Sequence, residues 1–297
     1  MKIFDCFQFF DENMMLDLRM NILKDHVHKF VIVENAYMHS GVKKKLVFDI
    51  KNFPKFKDKI IYILVDKLPE GLYDISKIKN FKDRGNRTID NTLMIEHAQR
   101  NSIMKGLDNA DENDLVIISD VDEIPKLNSI DLKKINKKLI YFKQKMFCYK
   151  FNLKMGDKPW CGSKACRKKN LILPQWLRDT KQRKYPLWRL DILFSKTKYN
   201  SIHYVNDGGW HFVNIKSPED IEKKLKNFGH NWEYSQSGLN LNDIKNMVST
   251  NRAVYDYNAD MKSYKWSGKE KLKKCDLSEL PNYLVNNKNI YSDWLIV

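Results

Sequence analysis

Three short runs of nearly unbroken apolar residues constrain the fold of this 297-residue chain more than any other feature: Lys29–Glu34 (KFVIVE), Lys59–Val65 (KIIYILV) and Asp114–Ser119 (DLVIIS). Strands that alternate polar and apolar residues leave one face in water, whereas runs like these have to be buried on both faces. A further strand is predicted at Lys2–Phe7. Helical spacing lies between them, in Asn13–Lys24 (Leu16, Met20 and Leu23) and in Thr88–Leu107 (Leu93, Met94, Ala98, Ile103 and Leu107, with Gly106 near the end). Helices inserted between doubly buried strands imply an α/β fold with a mainly parallel sheet covered on both sides.

The second half is more mixed. Leu139–Phe151, rich in aromatics, reads as strand, residues 154–188 as loop, and Leu190–Ser195 and Ser201–Val205 as strands before the turn Asn206-Asp207-Gly208-Gly209. Ser217-Pro218-Glu219-Asp220 carries an N-cap serine, proline at N1 and first-turn acids, so a helix starts there, with Ile221, Leu225 and Phe228 on one face. The tail from about residue 235 is polar and reads as helical. The expected division is a catalytic domain over 1–234 and a helical extension over 235–297 packed on it.

Charge and motifs remove several classes. The formal net charge is +16, but lysine is spread through the chain, which describes a solvated basic surface. Such a field also suits a phosphate-bearing substrate or peripheral contact with an anionic membrane. No recognition helix or RNP-type motif appears, so no nucleic-acid partner is expected. There is no GxGxxG, GxxxxGK[ST] or HExxH. The longest apolar run, Ile60–Val65, is far too short to span a bilayer. With no signal-like start and five scattered cysteines, the expectation is a cytoplasmic protein with free thiols, peripheral at most to the membrane.

The most informative segment is Ile117-Ile118-Ser119-Asp120-Val121-Asp122-Glu123-Ile124-Pro125. A buried strand runs straight into three carboxylates. In extended chain Asp120 and Asp122 point the same way, roughly 7 Å apart at Cα, so both reach one hard cation. Ligands of open α/β sheets bind at the carboxyl ends of strands, and oxygen-only ligands select Mg²⁺ or Mn²⁺. The alternative is an acidic turn that merely ends the strand.

Ser119–Pro125 resembles the SDVDEIP signature of glycosyltransferase family 17, the β-1,4-mannosyl-glycoprotein 4-β-N-acetylglucosaminyltransferase group. The resemblance extends along nearly the whole chain. It includes Phe4-Asp5-Cys6-Phe7 with Phe9–Glu12 and Leu18-Arg19, then Phe30–Glu34 with His39-Ser40-Gly41, and Glu96 with Gln99-Arg100-Asn101. Trp160-Cys161-Gly162, Gly208–Phe212, Lys224-Leu225, His230 with Glu233, and Leu280–Leu284 with Asn286 follow in family order. After Phe212 the family's Ser-aromatic continuation is replaced by Val213-Asn214-Ile215. Animal members carry an N-terminal membrane anchor and stem, and neither is expected in this chain.

The resemblance implies a GT-A type fold with a Rossmann-like sheet, and a metal-dependent, inverting transfer of N-acetylglucosamine from UDP-GlcNAc to a sugar hydroxyl of a glycan acceptor. Asp120, Asp122 and His211 would hold Mn²⁺ (or Mg²⁺), with Glu123 orienting. A buried histidine bonded to backbone is the alternative for His211. Glu34, Arg19, Arg100, His39 and Lys43 are assigned to the donor, although Glu34 equally suits a salt bridge and the arginines structural ion pairs. The general base is assigned to Asp207, with Glu233 in reserve; a turn-shaping Asp and a lysine-paired Glu are the competing explanations. Trp160, Gly162, Gly209 and Trp210 are assigned to the acceptor, because five of seven tryptophans fall between 160 and 232. A small apolar subcore accounts for those rings equally well. Other functions compatible with the segment are transfer from another nucleotide sugar, a nucleotidyltransferase, and a non-catalytic basic module binding sugar or membrane.

Overall fold

The structure, a computed structural model, describes residues 1–183, 185–186, 188–192, 194–229, 231–256 and 264–296. The first half runs β1 (Ile3–Phe9), α1 (Asn13–Leu23), β2 (Lys29–Asn35), β3 (Ile60–Val65), α2 (Phe81–Asn101), β4 (Leu115–Asp120), β5 (Glu123–Pro125), β6 (Leu139–Phe142) and β7 (Lys145–Cys148). The rest runs β8 (Leu153–Lys154), β9 (Lys164–Arg167), α3 (Pro174–Asp179), β10 (Ile202–Val205), β11 (Gly209–Val213), α4 (Pro218–Asn227), α5 (Asn231–Ser237), α6 (Leu241–Ser249), β12 (Lys273–Lys274) and α7 (Asn282–Asn286).

The apolar runs do what their composition requires. β3, β2, β1 and β4 lie side by side and parallel. Alternate residues enter opposite cores. Phe7, Phe30, Ile32 and Ile117 pack with α1 residues Leu16 and Met20 on one face. Cys6, Val31, Val33, Val116 and Ile118 pack with Ile103 and Trp176 on the other. Burial on both sides removes any need for a polar face in β2 and β4, hence their unbroken runs. β3, at the edge of the sheet, is only half-buried, with Leu64 exposed, so for that run the expected double burial is corrected. Beyond β4 the sheet becomes mixed: β9 is antiparallel to β4 and β6, and β10 is parallel to β6, completing the seven-stranded order β10-β6-β9-β4-β1-β2-β3.

A second sheet, β12-β8-β7-β11-β5, was not foreseen. It explains why Leu139–Phe151 is not one strand. Chain crosses at Lys143-Gln144 from β6 in the first sheet to β7 in the second. β11 pairs parallel with β7 and antiparallel with β5. Met146, Cys148 and Val213 of this sheet share a core with Tyr234, Ile244, Val254, Trp266 and Leu272, which fastens much of the tail to it.

Two further expectations are corrected. The long helix starts at Phe81, because the Asn80 side chain accepts from the Asp83 N–H (3.1 Å), and it tightens into a 3-10 turn over Ser102–Gly106. Leu190–Ser195 is no strand. Leu190–Ile192 is a 3-10 turn, and Leu190 and Phe194 stand in solvent with no strand to pair against. The helix at Ser217 forms as expected, Ser217 Oγ accepting from the Asp220 N–H (3.2 Å) and Ile221 fully buried.

Candidate active site

The carboxyl ends of β1, β2 and β4 lie next to one another, with Gln8 opposite Asp120 and Phe9 opposite Glu34. Only Val121 and Asp122 separate β4 of the first sheet from β5 of the second. The acidic segment is therefore the hinge between the sheets, and β11, paired to β5, sets His211 opposite Glu123 with its ring near Asp122. A cleft of about 290 Å³ opens there, walled by the strand ends, by α2 (Glu96, Gln99, Arg100), by Trp160 and His211, and by Lys224 of α4. Phe10 and His39 pack edge-on against Phe228 at 4.8 and 5.0 Å and form its lip.

Beneath the cleft the turn is held by charge. Arg19 is fully buried. Its Nε and Nη2 donate to the Asp5 carboxylate (2.8 and 2.6 Å), Nη1 to the carbonyls of Asp120, Val121 and Glu123 (3.0, 3.2 and 2.8 Å), and Nη2 to Ser119 Oγ (2.5 Å). With its donors saturated and no exposed surface, Arg19 shapes the Asp-Val-Asp turn and is not a donor ligand. The same correction holds for Glu34. It has no exposed surface, and its oxygens accept from Lys44 Nζ (2.5 Å), the N–H groups of Val47 and Phe48 (2.8 and 3.2 Å) and the Tyr62 hydroxyl (2.9 Å). Lys43 points away as an exposed residue, and its neighbour Lys44 lines the cleft instead.

Glu123 is likewise committed. It accepts from Trp160 Nε1 (2.7 Å), the Asp120 N–H (2.8 Å) and both terminal nitrogens of Arg178. Gly162 belongs to this packing and not to an acceptor: a Cβ there would collide with Glu123 Oε1 and Trp160 Nε1. Gly209, at φ +129°, lets β11 approach the Ile124 carbonyl of β5, which any side chain would block. Trp210 faces away from the cleft, its Nε1 donating to the Glu279 carbonyl (2.7 Å).

Asp120 and Asp122 differ sharply. The Asp120 carboxylate is clamped between Arg178 Nη2 (2.9 Å) and Arg100 Nη2 (3.1 Å). Burial pushes its carboxyl up, but Arg178 and then Arg100 outweigh that and hold it far below the usual carboxylate range. Among the described residues Asp122 has only His211 Nε2 at 3.7 Å and Lys224 Nζ at 3.9 Å as cationic neighbours, both beyond hydrogen-bond reach. Burial therefore wins, and its carboxyl is raised. Arg100 also pairs with Glu96 (2.7 Å) and donates to Gln175, while its Nε is buried with no partner among the described residues. His39 Nε2 meets Gln99 Oε1 at 3.0 Å, and its Nδ1 is also buried without a partner there. Trp160 keeps its place in the wall, its ring 5.5 Å from that of His211.

Neither expected general base lies in this cleft. Asp207, in a left-handed turn conformation (φ +49°), pairs with Lys126 (2.6 Å) and Lys145 (3.3 Å) beside a different hollow. Glu233 sits exposed on α5, outside the lining, and His230 lies outside the described residues. Glu12, one of the carboxylates that line the cleft, accepts from the N–H groups of Phe10 and Asp11 (3.2 and 3.1 Å) and faces Lys216 at 3.4 Å. Burial raises its carboxyl, but Lys216 and Lys224 bring it below the ordinary value. Glu12, Asp122 and Lys224 also wall a second chamber of about 420 Å³, between α1, β11 and α4.

A model of glycosyltransferase family 17 matches residues 1–296. The chain belongs to glycosyltransferase family 17. It is thus a glycosyltransferase, whose partners are a sugar donor and an acceptor. No curated protein matches the chain. Among solved structures this family 17 chain is similar to HddC from Yersinia pseudotuberculosis (12% identity, 75% of this chain and 96% of that one, TM-score 0.34). It is similar also to a Bacillus anthracis protein provisionally named glucose-1-phosphate thymidylyltransferase, crystallised with sucrose (9% identity, 70% and 87%, TM-score 0.35). Likeness at these scores carries no argument about activity. No helix among the described residues is long and apolar enough to cross a membrane.

Among the described residues no group of three His, Cys, Asp or Glu side chains is gathered closely enough to hold a metal by itself. The residues present nevertheless fit a hard divalent cation that keeps other oxygen ligands. Asp122 is a desolvated carboxylate short of positive charge, and magnesium-like ions normally complete their shell with water and substrate phosphates.

Proposed function

We propose that this glycosyltransferase moves N-acetylglucosamine from UDP-GlcNAc to a glycan hydroxyl with inversion, on a GT-A type sheet and with a divalent cation. The observation that carries the reading is the unequal pairing of Asp120 and Asp122 at the sheet's carboxyl end, inside a cleft that shares Glu12, Asp122 and Lys224 with a second chamber. Asp122, supported by the remaining lone pairs of Asp120 and by His211, would hold Mn²⁺ or Mg²⁺. When bound, the ion neutralises charge on the departing diphosphate.

The chain's own residues do the rest. Arg100, with an unused Nε, and Lys224 supply positive charge where the diphosphate lies. Lys44 and the aromatic lip close the nucleoside end. The acceptor occupies the second chamber, and Glu12, on the shared wall, takes the proton of the attacking hydroxyl. Lys216 keeps Glu12 ionised, so it is ready to accept, and the flanking N–H groups fix its direction.

The test is UDP release from UDP-GlcNAc, with and without acceptor glycans, in Mn²⁺ and in EDTA. Chelator-sensitive release lost in Asp122→Ala is the expected result. Release that EDTA leaves untouched removes the cation from the proposal. Pyrophosphate formation from a sugar phosphate and UTP, without transfer, replaces the proposal with nucleotidyl transfer.

A further inference from the structure

The segment 181–198 has no part in the cleft, yet it is a built feature. The Lys181 N–H donates to the Thr197 carbonyl (2.8 Å), closing the loop at its neck, and Trp176 Nε1 holds the Lys196 carbonyl (2.6 Å). Successive tight turns stiffen it, with Arg189 N–H donating to Pro186, Ile192 to Arg189 and Ser195 to Ile192. Ile192 is buried and anchors the described part of the loop from inside.

What it presents outward is unusual for a soluble surface. Trp188, Leu190 and Phe194 are 76%, 68% and 87% exposed, more than almost any other large apolar side chain described. By sequence the segment carries six cations against one carboxylate, Asp191, which bridges Arg189 and Lys198. At the neck a hollow of about 650 Å³ is lined by Lys164, Arg178, Lys181, Arg183, Arg189 and Lys198. Apolar aromatic tips beside a cationic hollow match the two layers of an anionic bilayer surface: acyl boundary below, negative headgroups above.

We infer that the 181–198 loop docks this protein on anionic lipid, with Trp188, Leu190 and Phe194 entering the interface and the basic neck receiving headgroup phosphates. The inference does not depend on the donor or acceptor proposed above. It does bear on them: Arg178 lines the basic hollow and also clamps Asp120, so the docking face and the cleft share one side chain.

The experiment is co-sedimentation of the full chain with phosphatidylcholine vesicles, with and without phosphatidylglycerol. Wild type should pellet with the anionic vesicles alone, less so as salt rises, because exposed charge is screened. The Trp188→Ser/Phe194→Ser double variant should lose about tenfold or more in apparent affinity. Its melting curve and its UDP stabilisation should match wild type, since both side chains are exposed. A charge variant, Lys181→Glu/Arg183→Glu, should lose anionic selectivity. Wild type that stays in the supernatant, or a double variant that pellets equally, overturns the inference. So does a dimer, seen by analytical ultracentrifugation, that the double variant dissolves, because a second copy would then be what covers the patch.

Discussion

Beneath the cleft, Arg19 has all three guanidinium nitrogens engaged and Glu123 both oxygens, whereas on the open side Asp122 stands 3.7 and 3.9 Å from its nearest cations. Glu123 and Asp122 are neighbours in the signature, which Arg19 reaches from about a hundred positions away. Their difference separates two uses of charge. A saturated charge is scaffold, since its field is spent on neighbours that cannot leave. An undersatisfied one keeps its field for a ligand, and the raised Asp122 carboxyl is the cost of holding it so. By this criterion Asp5, Arg19, Glu34 and Glu123 support the cleft, whereas Asp122 and the Arg100 Nε, which has no partner among the described residues, face its open side. Glu12 lines the cleft although two N–H groups and Lys216 already engage it.

The largest expected effect falls on the scaffold. Arg19→Met leaves Asp5 buried without its partner and strips three turn carbonyls of their donor, so unfolding free energy should drop by about 3–5 kcal/mol, read by urea denaturation. A drop within error would dissolve the distinction drawn here. Asp122→Asn should do the reverse: transfer falls about 10²–10³-fold, while the melting temperature holds or rises because a strained carboxylate is gone. Loss of stability in step with activity would put Asp122 among the scaffold residues.

Gly162→Ala is intermediate. The new methyl forces Glu123 or Trp160 aside, costing about 1–3 kcal/mol, and it should lower activity only through the displaced Asp120–Glu123 turn. The atoms nearest the new methyl belong to Glu123 and Trp160 rather than to Asp122, Arg100 or Lys224, so UDP should still stabilise the folded fraction. Smallest is the pH effect of Glu12→Gln. The folded Glu12 carboxyl lies below its ordinary 4.5, so its contribution to stability is present above that range and fades as pH falls through the folded value. The melting gap between wild type and variant should be widest near neutrality and vanish in acid. A gap that widens on acidification contradicts the sign.

Much of the first sheet was legible because burial on both faces leaves a local mark, the unbroken apolar run. β2, β3 and β4 fall within a residue of their expected bounds, and the Ser217 helix follows from caps that act over three or four residues. Asp120 and Asp122 were legible for the same reason, as polar residues at the end of such a run. The second sheet was not, because its strands are two to five residues long and pair across the chain. Arg178 was missed for a related cause: its six-residue helix, signalled only by Pro174, lies in a stretch without periodicity.

The chain's order of residues alone decided that a doubly covered sheet would end in paired carboxylates, since hydrophobic period and strand-end chemistry are both local. Which charges would be spent on structure was settled only by folding. Arg19 finds carbonyls about a hundred positions away, Asp207 turns to Lys126, and Glu12 arrives at a wall shared by two hollows. Coulomb and hydrogen-bond energies depend on separation in space, and no spacing along the chain carries that distance.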